Sequence, residues 1–146
     1  METHELLNRL EAIVDEAKTA IMATVDSAGC AHMRWMTPAV LKHRPGAIFT
    51  FSAPDAPKVE QIRTAGCAEW MFQTRDLRQI INIAGPARVL DNPALKSELM
   101  EILGPRLIVF WKANLNADEF VVIETVIEEA TFFEPMKGTR QTVRFD

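Results

Sequence analysis

Three side chains able to hold an anion fall close together in the first half of the sequence. Lys58 lies near the predicted start of a short helix, and Ser52 ends the strand before it. Free backbone N–H groups and the dipole at a helix N-terminus favour an anion. Ser52 adds a hydroxyl, and Arg34, on an adjacent predicted strand, adds a forked cation that suits phosphate. These residues predict a phosphate-binding corner; the alternative is that Lys58 is a solvated lysine on a surface helix.

Arg34 lies in a strand whose residues do not alternate cleanly between polar and apolar. Its segment, 33–37, reads Met-Arg-Trp-Met-Thr, and this crowding of large side chains predicts a face shared with a ligand or a partner. The simpler interpretation is an exposed arginine that pairs with one of the many carboxylates of the chain. Both interpretations stay open on the residues alone.

Several aromatic side chains could stack on a planar ring. They are Trp70, Phe72, Trp111, Phe132 and Phe133. Aromatic residues in strands belong more often to a core or a subunit interface. The run 107–111 is apolar enough to indicate that a second subunit covers it, so we favour burial in a dimer.

Other kinds of site lack support in the sequence. The histidines His4, His32 and His43 do not have the spacing of a metal site, so we expect no bound metal. Cys30 and Cys67 have no histidine signature nearby, and small buried thiols are the default interpretation. The chain also has no glycine-rich phosphate loop after a strand, which argues against nucleotide binding of the dinucleotide or P-loop type.

The elements that must position these residues indicate a small antiparallel barrel with peripheral helices, formed by one domain over residues 1–146. Helices are predicted over 3–18, with Thr3 as N-cap, over 58–64 and over 91–103. Strands are predicted over 19–25, 31–41, 47–52, 68–74, 78–90 and 120–133. A bulge or an edge position is expected at Gly85-Pro86, and the polar tail after Pro135 has no strong pattern. Short turns between five or six strands favour a mainly β, α+β class.

Composition limits the partners and the compartment. Sixteen Lys and Arg against twenty Asp and Glu give a net charge of −4, which argues against nucleic acid as the main partner. Two cysteines are too few for a secreted disulfide framework. The N-terminus lacks the features of a signal peptide, and no apolar run has the length that spans a bilayer. We therefore expect a cytoplasmic protein with no membrane partner.

Five segments, in their order and spacing, carry a resemblance to a known family. They are Ala23-Thr24-Val25 with the Gly29 turn, then residues 32–37, 46–52, 58–62 and 85–89. Over most of the chain they resemble the FMN-binding split barrels related to pyridoxamine 5′-phosphate oxidase, in particular the short general stress protein branch. The resemblance implies a six-stranded antiparallel split β-barrel. It also implies a homodimer that binds two FMN molecules at its interface, each touched by both chains.

The resemblance assigns roles to individual residues. Arg34, Trp35, Met36 and Thr37 would lie along the isoalloxazine ring, with Arg34 compatible either with the N1–C2 edge of the ring or with the phosphate. Phe51, Ser52 and Lys58 would serve the ribityl chain and phosphate. Gln79 matches a glutamine that contacts flavin in the oxidases, and Trp111 falls where the short branch has an aromatic pair near the partner's flavin.

The implied function is that of an FMN-dependent oxidoreductase acting on an unidentified small-molecule redox substrate. Residues 138–144 do not reproduce the Arg-x-His arrangement with which true oxidases grip substrate phosphate, so pyridoxamine phosphate oxidation is not expected. A non-enzymatic module that binds or senses flavin or haem in the same cleft is the alternative. A relative that has lost its ligand is a third possibility, kept open by Pro57 and Trp35.

Overall fold

The structure, a computed structural model, describes residues 1–106 and 120–146. The helices are α1 (Thr3–Ala17), α2 (Pro57–Ala65) and α3 (Pro93–Leu103), and a short 3₁₀ turn follows at Gly104–Arg106. The strands are β1 (Ala20–Val25), β2 (Ala31–Met36), β3 (Ala47–Ser52), β4 (Cys67–Gln73), β5 (Ile80–Leu90), β6 (Val121–Val126), β7 (Glu129–Glu134) and β8 (Thr139–Arg144). In the described part of the chain no helix is long and apolar enough to cross a membrane.

All strand pairs are antiparallel, and the sheet curls into a half-barrel in the order β2-β1-β4-β5-β6-β3. Strand β5 belongs to both halves of the barrel. Residues 80–84 of β5 pair with β7, which also pairs with β8, while residues 87–90 pair with β6. The predicted split-barrel class is confirmed.

Gly85 allows the sheet to fold where β5 changes partners. A Cβ at this position would lie 1.7 Å from the carbonyl oxygen of Val126 and 3.0 Å from the backbone nitrogen of Glu128. Only glycine permits that approach of the β6–β7 connection. Because Gly85 and Pro86 pair with β4 alone, the predicted bulge or edge position is an edge position.

Alternating side chains direct one face of the sheet into the core. The buried positions of β1 are Ala20, Met22 and Thr24, whereas the residues between them are more exposed. Among the predicted ring-stacking candidates, Trp70, Phe72 and Phe132 are core residues. The indole of Trp70 donates a hydrogen bond to Thr125 Oγ1 at 3.0 Å. These aromatic residues therefore stabilise the fold and are not free to stack on a ligand.

Two features of the ends of elements differ from the sequence expectations. Thr3 is the first helical residue of α1, and Glu2 is the N-cap without a side-chain hydrogen bond. Strand β2 ends at Met36 instead of residue 41, because Pro38 has no N–H to donate to a ladder. Beyond it, only an isolated bridge joins Ala39 to Phe49.

The described residues contain eight strands where six were predicted. The apolar region 120–133 is divided into β6 and β7, and Ile127, between them, donates its backbone N–H to Gly46. The polar tail forms β8, with Val143 buried opposite Ala130. An edge strand with polar and charged outward residues has little apolar periodicity, which is why the tail showed no strong pattern.

The Gly85→Ala substitution tests the contact that lets the sheet fold. We expect it to lower the free energy of unfolding by about 2–4 kcal/mol, because the new methyl group meets backbone that cannot rotate away. Urea denaturation followed by circular dichroism measures the change. The control is Gly104→Ala, whose Cβ would meet only the Met100 sulfur at 3.9 Å. Equal midpoints for both variants would contradict the assignment.

Candidate functional site

Arg34 projects from β2 toward the buried side of β1. It lies opposite Met22 in the ladder, and its side chain is half-buried. Nη1 of Arg34 donates to Thr24 Oγ1 at 2.7 Å and, more weakly, to the Met22 carbonyl oxygen at 3.4 Å. Burial lowers the pKa of Arg34. The guanidinium is thus held at a partly dry position by neutral groups.

Lys58 lies near the N-terminus of α2, within electrostatic range of Arg34. The helix begins at Pro57, a residue suited to the first helical position, and no side chain caps it at Ala56. Burial lowers the pKa of Lys58, and the positive charge of Arg34 lowers that pKa further. The structure therefore brings together the two cations that the sequence placed on different elements, which we call the cation pair.

The cation pair has no acidic partner in the described part of the chain. Elsewhere the fold does pair its buried charges: Glu124 is 2% exposed and accepts hydrogen bonds at 2.7 Å from both Arg44 and Arg88. Two partly desolvated like charges raise the free energy of the folded chain. An anion bound between the two charges would offset this cost.

Two polar residues that the sequence reasoning missed complete the site. Thr24 is 1% exposed, accepts the hydrogen bond from Arg34, and donates to Gln61 Oε1 on α2 at 2.6 Å. A signal for Thr24 was available, because it is the polar residue at an interior position of the β1 alternation. Gln61 lies three residues after Lys58, so both fall on one side of the helix.

Ser52 and Phe51 end β3 close to α2 in sequence, but their side chains are committed to the fold. The Ser52 hydroxyl is 1% exposed and donates to the carbonyl oxygen of Ala53 at 2.9 Å. Phe51 belongs to the core, where its ring packs on Phe120 with centroids 5.6 Å apart. In this conformation Ser52 offers lone pairs rather than a proton to a ligand.

The segment 34–37 does not line a single wall. Trp35 points to the opposite face of β2 from Arg34 and is 63% exposed, whereas Met36 is buried. The carbonyl oxygen of Thr37 accepts a hydrogen bond from Thr50 Oγ1 at 2.8 Å, which ties the end of β2 to β3. Of these four residues, only Arg34 contributes its side chain to the cation pair.

Gln79 lies next to β5, several strands away from Arg34 in the sheet. It closes the β4–β5 turn, where its backbone N–H donates to Thr74 Oγ1 at 3.1 Å and its carbonyl accepts from the Thr74 N–H at 3.0 Å. Strand β5 is three strands from β2 in the sheet order, which is about 14 Å at the usual strand spacing. One chain does not bring Gln79 to Arg34. Trp111 and the run 107–111 lie outside the described residues.

The outer face of the sheet exposes a row of apolar side chains, which we call the apolar row. In register, Trp35 of β2 lies opposite Ile21 of β1, which lies opposite Met71 of β4. Met33, 73% exposed, extends the row along β2. Next to it, an open groove of about 560 Å³ is lined mostly by small residues of β1, β4 and β5, including Thr24, and by the carboxylates Glu69, Glu128 and Glu129. Contiguous exposed apolar surface of this kind marks an interaction site.

Comparison with solved structures shows the same fold. General Stress Protein 26 from Bacillus anthracis has a TM-score of 0.74 at 15% identity, covering 97% of this chain and 99% of its own. A pyridoxamine 5′-phosphate oxidase-related, FMN binding protein from Nostoc punctiforme has a TM-score of 0.66 at 13% identity, covering 95% of each chain. A heme binding protein from Mycobacterium smegmatis has a TM-score of 0.71 at 14% identity, covering 92% of this chain and 55% of its own.

Family membership rests on the sequence match. No curated protein matches the chain significantly. Residues 5–144, however, match the family described as pyridoxamine 5′-phosphate oxidase like. Because that match runs through every described helix and strand, the family expectation is confirmed, and the chain belongs to the pyridoxamine 5′-phosphate oxidase-like family.

Proposed function

We propose that the protein binds FMN and acts as an FMN-dependent oxidoreductase on a small-molecule substrate. The observation that carries the proposal is the cation pair, two half-buried positive charges with no carboxylate partner among the described residues. The phosphate of FMN is a dianion whose oxygens accept charge-assisted hydrogen bonds from a guanidinium and an ammonium. The uncapped N-terminus of α2 adds favourable N–H groups beside Lys58.

The residues of the chain would bind and orient the cofactor. Arg34 and Lys58 would hold the phosphate, and residues 34–37, the end of β2 and the residue after it, would form a backbone edge for the rest of the cofactor. The bound flavin supplies the hydride and electron transfer. Proteins of this fold include an FMN binding protein and a heme binding protein. The fold alone therefore does not distinguish a flavin from a haem as the ligand. The phosphate preference of the cation pair is what favours FMN.

A homodimer completes this proposal. The apolar row leaves Trp35 and Met33 both more than half exposed, and a second subunit packed on it would remove these side chains from water. Gln79 is three strands from Arg34 within one chain, so a shared flavin would be reached by Gln79 of one chain and Arg34 of the other. A two-fold axis through the apolar row buries the same patch of both subunits.

FMN affinity tests the phosphate assignment. Lys58→Met should weaken FMN binding by about 10- to 100-fold, the equivalent of one charge-assisted contact of about 1.5–3 kcal/mol. Riboflavin, which lacks the phosphate, should bind both proteins equally. Quenching of flavin fluorescence on titration with apoprotein measures both constants, and Lys42→Met, an exposed lysine, is the control. Equal FMN affinities for the two variants would remove the phosphate assignment, and a Soret band in place of flavin absorbance in the purified protein would favour haem.

The stability of the ligand-free protein tests the repulsion in the cation pair. At neutral pH, Lys58→Met should raise Tm by about 2–4 °C, since it removes a charge that burial and Arg34 both disfavour. Because the pKa of Lys58 is lowered in the native chain, the unfolded chain binds more protons than the native chain between that lowered pKa and the usual Lys value of 10.5. The free energy of unfolding of the wild type therefore rises toward that of the variant as pH increases through that window. A lower Tm for Lys58→Met, or a gap that widens with pH, would contradict the repulsion.

The oligomeric state tests the apolar row. Trp35→Glu should convert a dimer into monomers, because a charge on each of two facing patches opposes their burial. Size-exclusion chromatography with light scattering gives the mass. Met136→Glu replaces an apolar residue of similar exposure in the turn before β8 and should remain dimeric. A monomeric wild type, or a dimeric Trp35→Glu, would overturn the proposed interface.

A further inference from the structure

We propose that Thr24 and Gln61 are positioning residues that aim Arg34 at the bound phosphate without neutralising its charge. The inference deepens the proposed function and rests on it, because the anion site that these residues serve is the cation pair. Its basis is a continuous chain of hydrogen bonds from α2 to β2. Thr24 Oγ1 donates to Gln61 Oε1 at 2.6 Å and accepts from Arg34 Nη1 at 2.7 Å.

The direction of each hydrogen bond is determined by the chemistry of the groups. A guanidinium only donates, so the Thr24 oxygen must accept from Arg34. The single hydroxyl proton of Thr24 must then go to an acceptor, and Thr24 is too buried for water to take it. Gln61 supplies that acceptor when its carbonyl oxygen faces Thr24. The amide orientation is therefore fixed, and the Thr24 lone pairs are turned toward Arg34.

The hydrogen-bond chain from Gln61 through Thr24 to Arg34 contains no negative charge, which suits an anion site. A guanidinium beside Lys58 is repelled by it, and a carboxylate would hold Arg34 at the expense of its charge, as Glu124 does for Arg44 and Arg88. Thr24 and Gln61 hold Arg34 through dipoles alone, so the full positive charge stays available to a ligand.

Helix α2 also determines the positions of both cations. Lys58 and Gln61 lie one turn apart on α2, so the helix carries one cation directly and fixes the other through Thr24. Helix α2 packs on β1, the strand of Thr24. The separation of the two cations is thereby set by one rigid unit, and loss of the Thr24 hydroxyl frees Arg34 to move away from Lys58.

The test compares FMN with riboflavin, because only FMN carries the phosphate. Dissociation constants for both flavins are measured by fluorescence quenching on the full-length apoprotein of wild type, Thr24→Val, Thr24→Ser and Gln61→Met. We expect Thr24→Val to lose about tenfold in FMN affinity and to keep its riboflavin affinity. Thr24→Ser keeps the hydroxyl and should restore FMN binding. Gln61→Met should lose about threefold, because the Thr24 proton then competes for other partners.

The control separates positioning from stability. Thr125 is another buried threonine; it lies on β6 and accepts a hydrogen bond from the Trp70 indole rather than from Arg34. Thr125→Val should lower Tm and leave the FMN-to-riboflavin ratio unchanged. A wild type without preference for FMN over riboflavin would overturn the phosphate site and the positioning role together. A clear wild-type preference that Thr24→Val and Gln61→Met both retain would overturn the positioning role alone.

Discussion

The repulsion between Arg34 and Lys58 is the interaction on which the functional interpretation of the structure depends. The β1–β2 ladder places Arg34, and the packing of α2 on β1 brings Lys58 beside it. Neither residue finds a carboxylate in the described part of the chain, although the fold pairs other buried charges well. Folding holds this pair together because two continuous apolar clusters stabilise the sheet around it. Such stored electrostatic cost is characteristic of functional sites.

Successive side chains of strand β2 point to opposite faces of the sheet and so have different surroundings. Arg34 faces inward to the polar network with Thr24, while Trp35 and Met33 face outward in the apolar row. In the proposed function, the same six residues present the phosphate site to one side and the subunit interface to the other. A dimer across the apolar row would bring elements of a second chain, including its β4–β5 turn with Gln79, near a ligand that starts at Arg34. This arrangement would let one short strand serve both the proposed cofactor site and the proposed dimer.

Much of this could be predicted from the sequence where periodicity is strong. The apolar spacing of α1, the strand 47–52 and the helix predicted over 58–64 all match the structure closely, because local preference and burial agree there. The meeting of Arg34 with Lys58 was predicted only as a possibility, since it depends on how β2 and α2 approach the same end of β1. Gln61 was missed because a buried hydrogen bond between distant residues leaves no local pattern. Thr24 did leave a signal, as a polar residue at an interior position of β1, but that signal does not identify its partners. Strand β8 was missed because an exposed edge strand is mostly polar. The cofactor-binding roles assigned from the sequence all stay predictions: those of Arg34, Trp35, Met36, Thr37, Phe51, Ser52, Lys58, Gln79 and Trp111.

The most direct measurement is a crystal structure of the protein with FMN bound. The account predicts phosphate oxygens at about 2.7–2.9 Å from both the Arg34 guanidinium and the Lys58 ammonium. It further predicts that Arg34 still donates to Thr24 in the complex. A phosphate bound elsewhere, or a Lys58 side chain that points into solvent with FMN present, would contradict the central claim.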